Sequence, residues 1–260
     1  MPEQKRIWNP QALLESACCL TFAVILGYLV ISGGYQQYVT PKMVPYFYFT
    51  IAVMVIWAMN GLFYRSRSRQ KVRAAHCLTL AIPILLLLLP HAPVTYSSLS
   101  SGYLGGDSIT GNPSSSSAQQ IPGKKEPAYG SELSGLDEAN KTITVTDSEF
   151  YLWITKLYES PDQYEGYQIK MTGSVFRDSS QMQQNEFVPA RLMMTCCVSD
   201  LTPVGLLCQY DGTAQLKTDS WVTVEGTVFY ADYEGIKEPR ISVSSITPAQ
   251  EVPGYLYPLY

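Results

Sequence analysis

The sequence predicts a membrane α-helical segment of three spans, followed by a mainly-β outer domain built as a small closed barrel with one helix. Three observations carry that expectation. Apolar runs dominate the first 90 residues. A Ser/Gly-rich stretch at 97–140 has almost no apolar periodicity, as expected of a segment that cannot bury enough surface to fold. Beyond it the apolar period changes from helical to alternating. Charge follows the same division. Residues 1–90 carry eight Lys or Arg against two Asp or Glu, and residues 91–260 carry ten against twenty. The organisation read from this is a transmembrane region over 1–92, a linker over 93–141 and a β domain over 142–260.

The runs at 12–31, 44–64 and 74–90 are each compared with the roughly 20 apolar residues needed to cross a bilayer. The first is apolar except for Glu15 and small hydroxyls. It is too long for a signal-peptide core, and Gly33-Gly34-Tyr35 is a poor cleavage site. The second has Tyr46, Phe47 and Tyr48 at one end and Phe63 and Tyr64 at the other, where interfacial aromatics gather against membrane lipid. The third is short and contains Pro83, which a membrane helix tolerates when neighbours re-satisfy the freed carbonyl. Arg65, Arg67, Arg69, Lys71 and Arg73 lie between the second and third runs. A basic cluster of that kind stays cytoplasmic. Three spans then place the amino terminus inside and everything after Pro90 outside. Glu15 lies within a turn of the inner interface, where a structural role suits it better than a functional one.

In the outer half, Thr146-Asp-Ser-Glu149 has the spacing of a capping box. Phe150, Trp153, Ile154, Leu157 and Tyr158 follow at helical spacing, and Pro161 ends the helix. Two alternating segments then resemble each other, Ile-Lys-Met-Thr-Gly-Ser-Val-Phe at 169–176 and Val-Thr-Val-Glu-Gly-Thr-Val-Phe at 222–229. The glycine at the fifth position of each marks a bend or bulge, which a small barrel needs to close. Further strands are expected at Glu186–Cys196, Val204–Gln209 and Arg240–Ile246. One helix and five strands is the count of an OB-fold-like five-stranded barrel, with an SH3-like barrel or an open sandwich as alternatives.

The candidate site is the stretch Arg191-Leu-Met-Met-Thr-Cys196-Cys197-Val-Ser-Asp200. If Cys196 and Cys197 share a strand, they point to opposite faces. Cys208, on the next strand, then suits a disulfide with one of them. Cys196, Cys197, Cys208 and Asp200 also offer donors for zinc or Cu(I), although adjacent cysteines lack the usual spacer between ligands. A third reading makes the thiols small apolar core residues. Arg191 and Asp200 are expected to form an ion pair. Both histidines, His76 and His91, lie outside the β domain, so no imidazole is at hand to activate a thiol. No catalytic residues and no obligatory cofactor are therefore expected. The −10 balance of the outer half repels nucleic acid.

Four segments resemble a known family: Tyr38-Val-Thr-Pro41-Lys42-Met, Tyr164-Glu-Gly-Tyr-Gln-Ile169, Arg191 through Cys196-Cys197 and Asp200 to Gly205, and Trp221-Val-Thr-Val-Glu-Gly226. The chain is similar to the YcgQ-like family of bacterial membrane proteins, described as the second subunit of a two-component permease. The resemblance covers nearly the whole chain except the linker. It implies a plasma-membrane protein working beside a polytopic permease, and it supplies neither a cargo nor active-site residues. The alternative is a metal- or thiol-handling surface protein using Cys196 and Cys197.

Overall fold

The computed structural model describes residues 10–63, 82–83, 85–86, 94, 96, 133–178, 182–233 and 235–258. The chain divides into two compact units, Met1–Pro93 and Val94–Tyr260. The third apolar run falls almost wholly outside the described residues, as do the basic cluster at 65–73 and the linker over 97–132.

The first unit contains two helices, α1 (Pro10–Ser32) and α2 (Val44–Phe63). Both are long and apolar enough to cross a membrane. Gly33 ends α1 at φ 76°, a left-handed cap that glycine adopts without steric cost. A helical turn led by Pro41 then starts the approach to α2. Ser16, Cys19, Ala23 and Leu26 are buried on α1, as is Ala58 on α2. A Cβ at Gly61 would collide with Ser16 Oγ. Small residues at the crossing let the two apolar helices approach closely. Many of the other apolar side chains face outward, with Val24 69%, Phe49 70% and Trp57 61% exposed. Glu15 is half-buried on α1.

The second unit is a closed barrel. Its helix α3 (Phe150–Glu159) buries Phe150, Trp153, Ile154, Leu157 and Tyr158, the apolar stripe read from the sequence. A single turn, α4 (Pro161–Tyr164), follows. The Thr146–Glu149 capping box does not form. Thr146 precedes a one-turn 3-10 helix over Asp147–Glu149, and its hydroxyl donates to the Glu149 carboxylate at 3.1 Å.

Eight strands are present: β1 (Leu136–Asp137), β2 (Thr142–Thr144), β3 (Gln168–Phe176), β4 (Glu186–Met193), β5 (Thr202–Val204), β6 (Leu207–Gln209), β7 (Trp221–Tyr233) and β8 (Ile236–Pro248). Five close a ring in the order β3–β7–β8–β6–β4–β3, with β6 and β8 parallel and every other neighbour antiparallel. Inward residues of the ring and the buried stripe of α3 form one core. The strands at 169–176 and 222–229 pair with each other, Ile169 opposite Gly226 and Gly173 opposite Val222. Gly226 sits at a register shift against β8, and a Cβ there would collide with Ser242 and Ile241. A Cβ at Gly173 would collide with Pro189, where β3 turns from β7 toward β4.

Several sequence boundaries shift. The strands expected at 222–229 and 240–246 run over Trp221–Tyr233 and Ile236–Pro248. The strand expected at Glu186–Cys196 ends at Met193. The one expected at Val204–Gln209 is two short strands, because β5 follows the far end of β4 while β6 crosses to β8. Gly205 stands at the break, too close to Val188 and Pro189 for any side chain. The linker assigned to 93–141 is folded at both margins, with Val94, Tyr96, Leu133 and Leu136 packed against barrel clusters.

Candidate functional site

The ten residues from Arg191 to Asp200 fold as the end of β4, a bend and a 3-10 turn over Val198–Asp200. β4 stops pairing as a sheet strand because Met193 bridges Leu256 and Met194 donates its N–H to Leu256 O at 2.9 Å. The chain then turns away, and Cys197 becomes the N-cap of the 3-10 turn. Asp200, three residues on, reaches back as the second half of a capping box. Its Oδ1 accepts from Thr195 N at 3.0 Å, and its Oδ2 accepts from Cys196 N at 2.6 Å and Cys197 N at 3.3 Å. Three amide donors on one carboxylate fix the loop, each charge-assisted bond being roughly twice as strong as a neutral one.

The two thiols therefore lie side by side, with Sγ atoms 3.6 Å apart. The expectation that they point to opposite faces fails because the strand ends before it reaches them. Cys196 is exposed and Cys197 half-buried. Hydrogen bonding to Asp200, then to Cys197, pushes the Cys196 thiol up to about 12. A thiol held protonated in this way is a poor nucleophile at neutral pH. Cys196, Cys197 and Asp200 bring one ligand atom each to within 4.8 Å of one another.

Cys208 does not join them. It lies on β6 opposite Phe187, fully buried in the barrel core, with its thiol donating to Leu206 O at 3.5 Å. Burial pushes its pKa well up. The disulfide expected between Cys208 and the vicinal pair is absent, and among the described residues all cysteines are free. Cys208 is the small apolar core residue that was one of the sequence alternatives.

Arg191 does not pair with Asp200 either. It shares the parity of Phe187 and Met193, the core side of β4. Its guanidinium is 4% exposed and bonds Asp147 at 3.2 Å. It lies over the rings of Phe150 and Trp221, at 5.7 and 5.8 Å. Burial pushes its pKa down, while Asp147 works in the opposite direction. Each aromatic face adds about 0.5–2 kcal/mol of cation–π attraction. Arg191 floors a cleft of about 380 Å³ whose walls include Asp147, Tyr151, Leu152, Pro253, Tyr255 and Tyr257. Tyr255 and Tyr257 also pack on the cluster of Leu192, Met194, Val198 and Leu201 beneath the cysteine loop. Cleft and loop thus share a wall. Asp147 enters the sequence reading only as an interior position of the Thr146–Glu149 capping box, and the Val252–Tyr257 segment carries no motif. The one available signal is an aromatic-rich run, Tyr255-Leu-Tyr257, beyond the last expected strand.

Comparison with known families decides the relationship. Residues 123–258 match the model described as the DUF1980 C-terminal domain, and residues 14–103 match the DUF1980 N-terminal domain. The chain belongs to the DUF1980 family. The DUF1980 C-terminal match takes in the barrel, the cleft and the cysteine loop. This DUF1980 chain is also similar to the UPF0703 protein YcgQ of Bacillus subtilis (strain 168), at 23% identity over 99 residues. That match covers 38% of this chain and 34%, about a third, of the relative's length. The family expected from the four sequence segments is the one found.

Proposed function

We propose that this chain is the non-catalytic membrane subunit of a two-component permease. Three spans, the two helices described above and the run at 74–90, dock beside a polytopic partner. The barrel stands on the outer face of the bacterial plasma membrane, with the amino terminus inside. There it binds the partner's cargo or gates access to it. The observation that carries this reading is the joining, in one chain, of two lipid-length helices with outward apolar side chains and a closed barrel bearing a cleft and a thiol loop. We assign the barrel to the OB-fold. In chain order its five ring strands run 1–2–3–5–4–1 with strands 3 and 5 parallel, which supports a Greek-key barrel of that kind. The protonated Cys196 and the lack of histidine in the barrel unit support a binding role over catalysis.

The test is co-purification of the tagged full-length chain from its native membrane in mild detergent. A polytopic membrane protein recovered in stoichiometric amount is the expected result. Recovery of the chain alone, from a gentle extraction that keeps other membrane complexes together, overturns it.

A further inference from the structure

We infer that Cys196 and Cys197, with Asp200, form an open binding site for a thiophilic divalent cation of the zinc class. The inference deepens the permease reading by naming the chemistry that the barrel takes, and only the role of the ion rests on that reading.

The argument starts from the sulfur separation. Two sulfurs 3.6 Å apart, each at the Zn–S distance of about 2.3 Å, subtend an angle of about 103° at the ion. That is close to tetrahedral. A linear dithiolate ion with the same bond length needs sulfurs about 4.6 Å apart. The spacing therefore favours a tetrahedral ion over digonal Cu(I), narrowing the pair of metals that the sequence left open. A vicinal disulfide fits less well. Bonded sulfurs lie about 2.05 Å apart, and the usual Cα separation of at least about 4.4 Å exceeds the 3.8 Å between neighbouring residues.

The loop is held in place without the ion. Asp200 fixes the amides of Thr195, Cys196 and Cys197, so the backbone positions that carry the two thiols are set, and one χ1 rotation per cysteine is all that remains to place each sulfur. An ionised carboxylate has about four lone-pair sites; three take the amides and the fourth takes the Cys196 thiol proton. Loss of that proton on binding frees the fourth site and makes Asp200 the third ligand. Three protein ligands leave the fourth tetrahedral position to water or an incoming ligand, whereas structural sites are closed by four. The exposure of Cys196 gives the ion a way in and out. Binding replaces the two thiol protons, which pass to solvent as the two sulfur–metal bonds form.

The experiment is a cadmium titration of the full-length, reduced protein in detergent, followed by thiolate-to-cadmium charge-transfer absorption. One ion per chain, two thiolates per ion and displacement by zinc are expected. Cys196→Ser and Cys197→Ser each weaken binding at least tenfold, the double variant loses the band, and Cys208→Ser and Cys18→Ser/Cys19→Ser keep it. Wild-type protein with free, titratable thiols and no band overturns the inference, as does a band undiminished in the double variant. A metal-free melting temperature matched to wild type shows that the serine variants are folded. The titration needs no partner and the co-purification needs no metal. A partner without the band sinks the ion site alone, and the band without a partner sinks the permease reading alone.

Discussion

At the residue scale, the Cys196 thiol gives a direct readout of the loop. Only the thiolate reacts with alkylating agents. A pKa near 12 in place of 9.0 lowers the thiolate fraction at pH 8 by about a thousandfold, and the greater intrinsic nucleophilicity of the more basic thiolate returns about twentyfold. Metal-free Cys196 should therefore alkylate at pH 8 on the order of 50 times more slowly than an ordinary thiol, with the rate still climbing above pH 10. Mass spectrometry of the 191–200 peptide after timed iodoacetamide treatment measures this. Asp200→Asn removes the largest of the influences that hold the thiol protonated and leaves the Cys197 contact in place, so Cys196 should then react several-fold faster, at a cost of about 1–2 kcal/mol from the weakened cap. The sequence singles out these ten residues because an arginine, two thiols and a carboxylate stand out in a chain poor in reactive groups. It misplaced their partners. Strand parity from residue 186 was carried through to residue 197, and nothing local announces that Leu256 takes the end of β4. Arg191 was given Asp200, the acid of the same stretch, while its real partner, Asp147, arrives from the turn before α3.

At the scale of the element, the two strand glycines and one ion triad set the barrel. Gly173 and Gly226 sit where strands cross too closely for a Cβ. Gly173→Ala and Gly226→Ala should each destabilise the barrel by about 1–3 kcal/mol through overpacking, read as a lowered denaturation midpoint. Both were legible from the twin segments, because alternation with a glycine at a fixed position has few other causes. The triad was not legible. Arg240 bonds Glu186 at 3.2 Å and Glu238 at 2.9 Å, all three largely removed from solvent. Arg240→Met leaves two carboxylates facing each other in a buried place and should cost about 3–5 kcal/mol, on the same denaturation curve. Glu186 and Arg240 come together because β6 sits between β4 and β8, a ring order that no periodicity in the sequence encodes.

At the scale of the whole molecule, the division into two units makes the topology testable. Protease added to intact cells from which the cell wall has been removed should cut within 97–132 and release a fragment carrying the barrel, and the same protease enclosed with the cytoplasmic face should not. Release only from the cytoplasmic side reverses the proposed orientation. The two units were legible because a membrane span and a half-buried strand have different apolar periods, and a Ser/Gly-rich stretch separates them. The margins were not legible, since Tyr96 and Leu136 earn their places only through contacts with residues distant in sequence. The pairing pattern of the barrel also orders its assembly. β7 and β8 meet across a tight turn, Tyr233 opposite Ile236, whereas the ring closes by joining Ile169 to Gly226 and Cys208 to Ile241. Pairings between distant residues are kinetically slower than local hairpins. The closure that buries Cys208 against β8 is thus among the last parts to form. Asp200 caps Cys196 and Cys197 from within their own loop, four and three residues away, whereas Cys208 lacks its core until the ring closes. The speed of ring closure therefore decides how long the Cys208 thiol is open to oxidation.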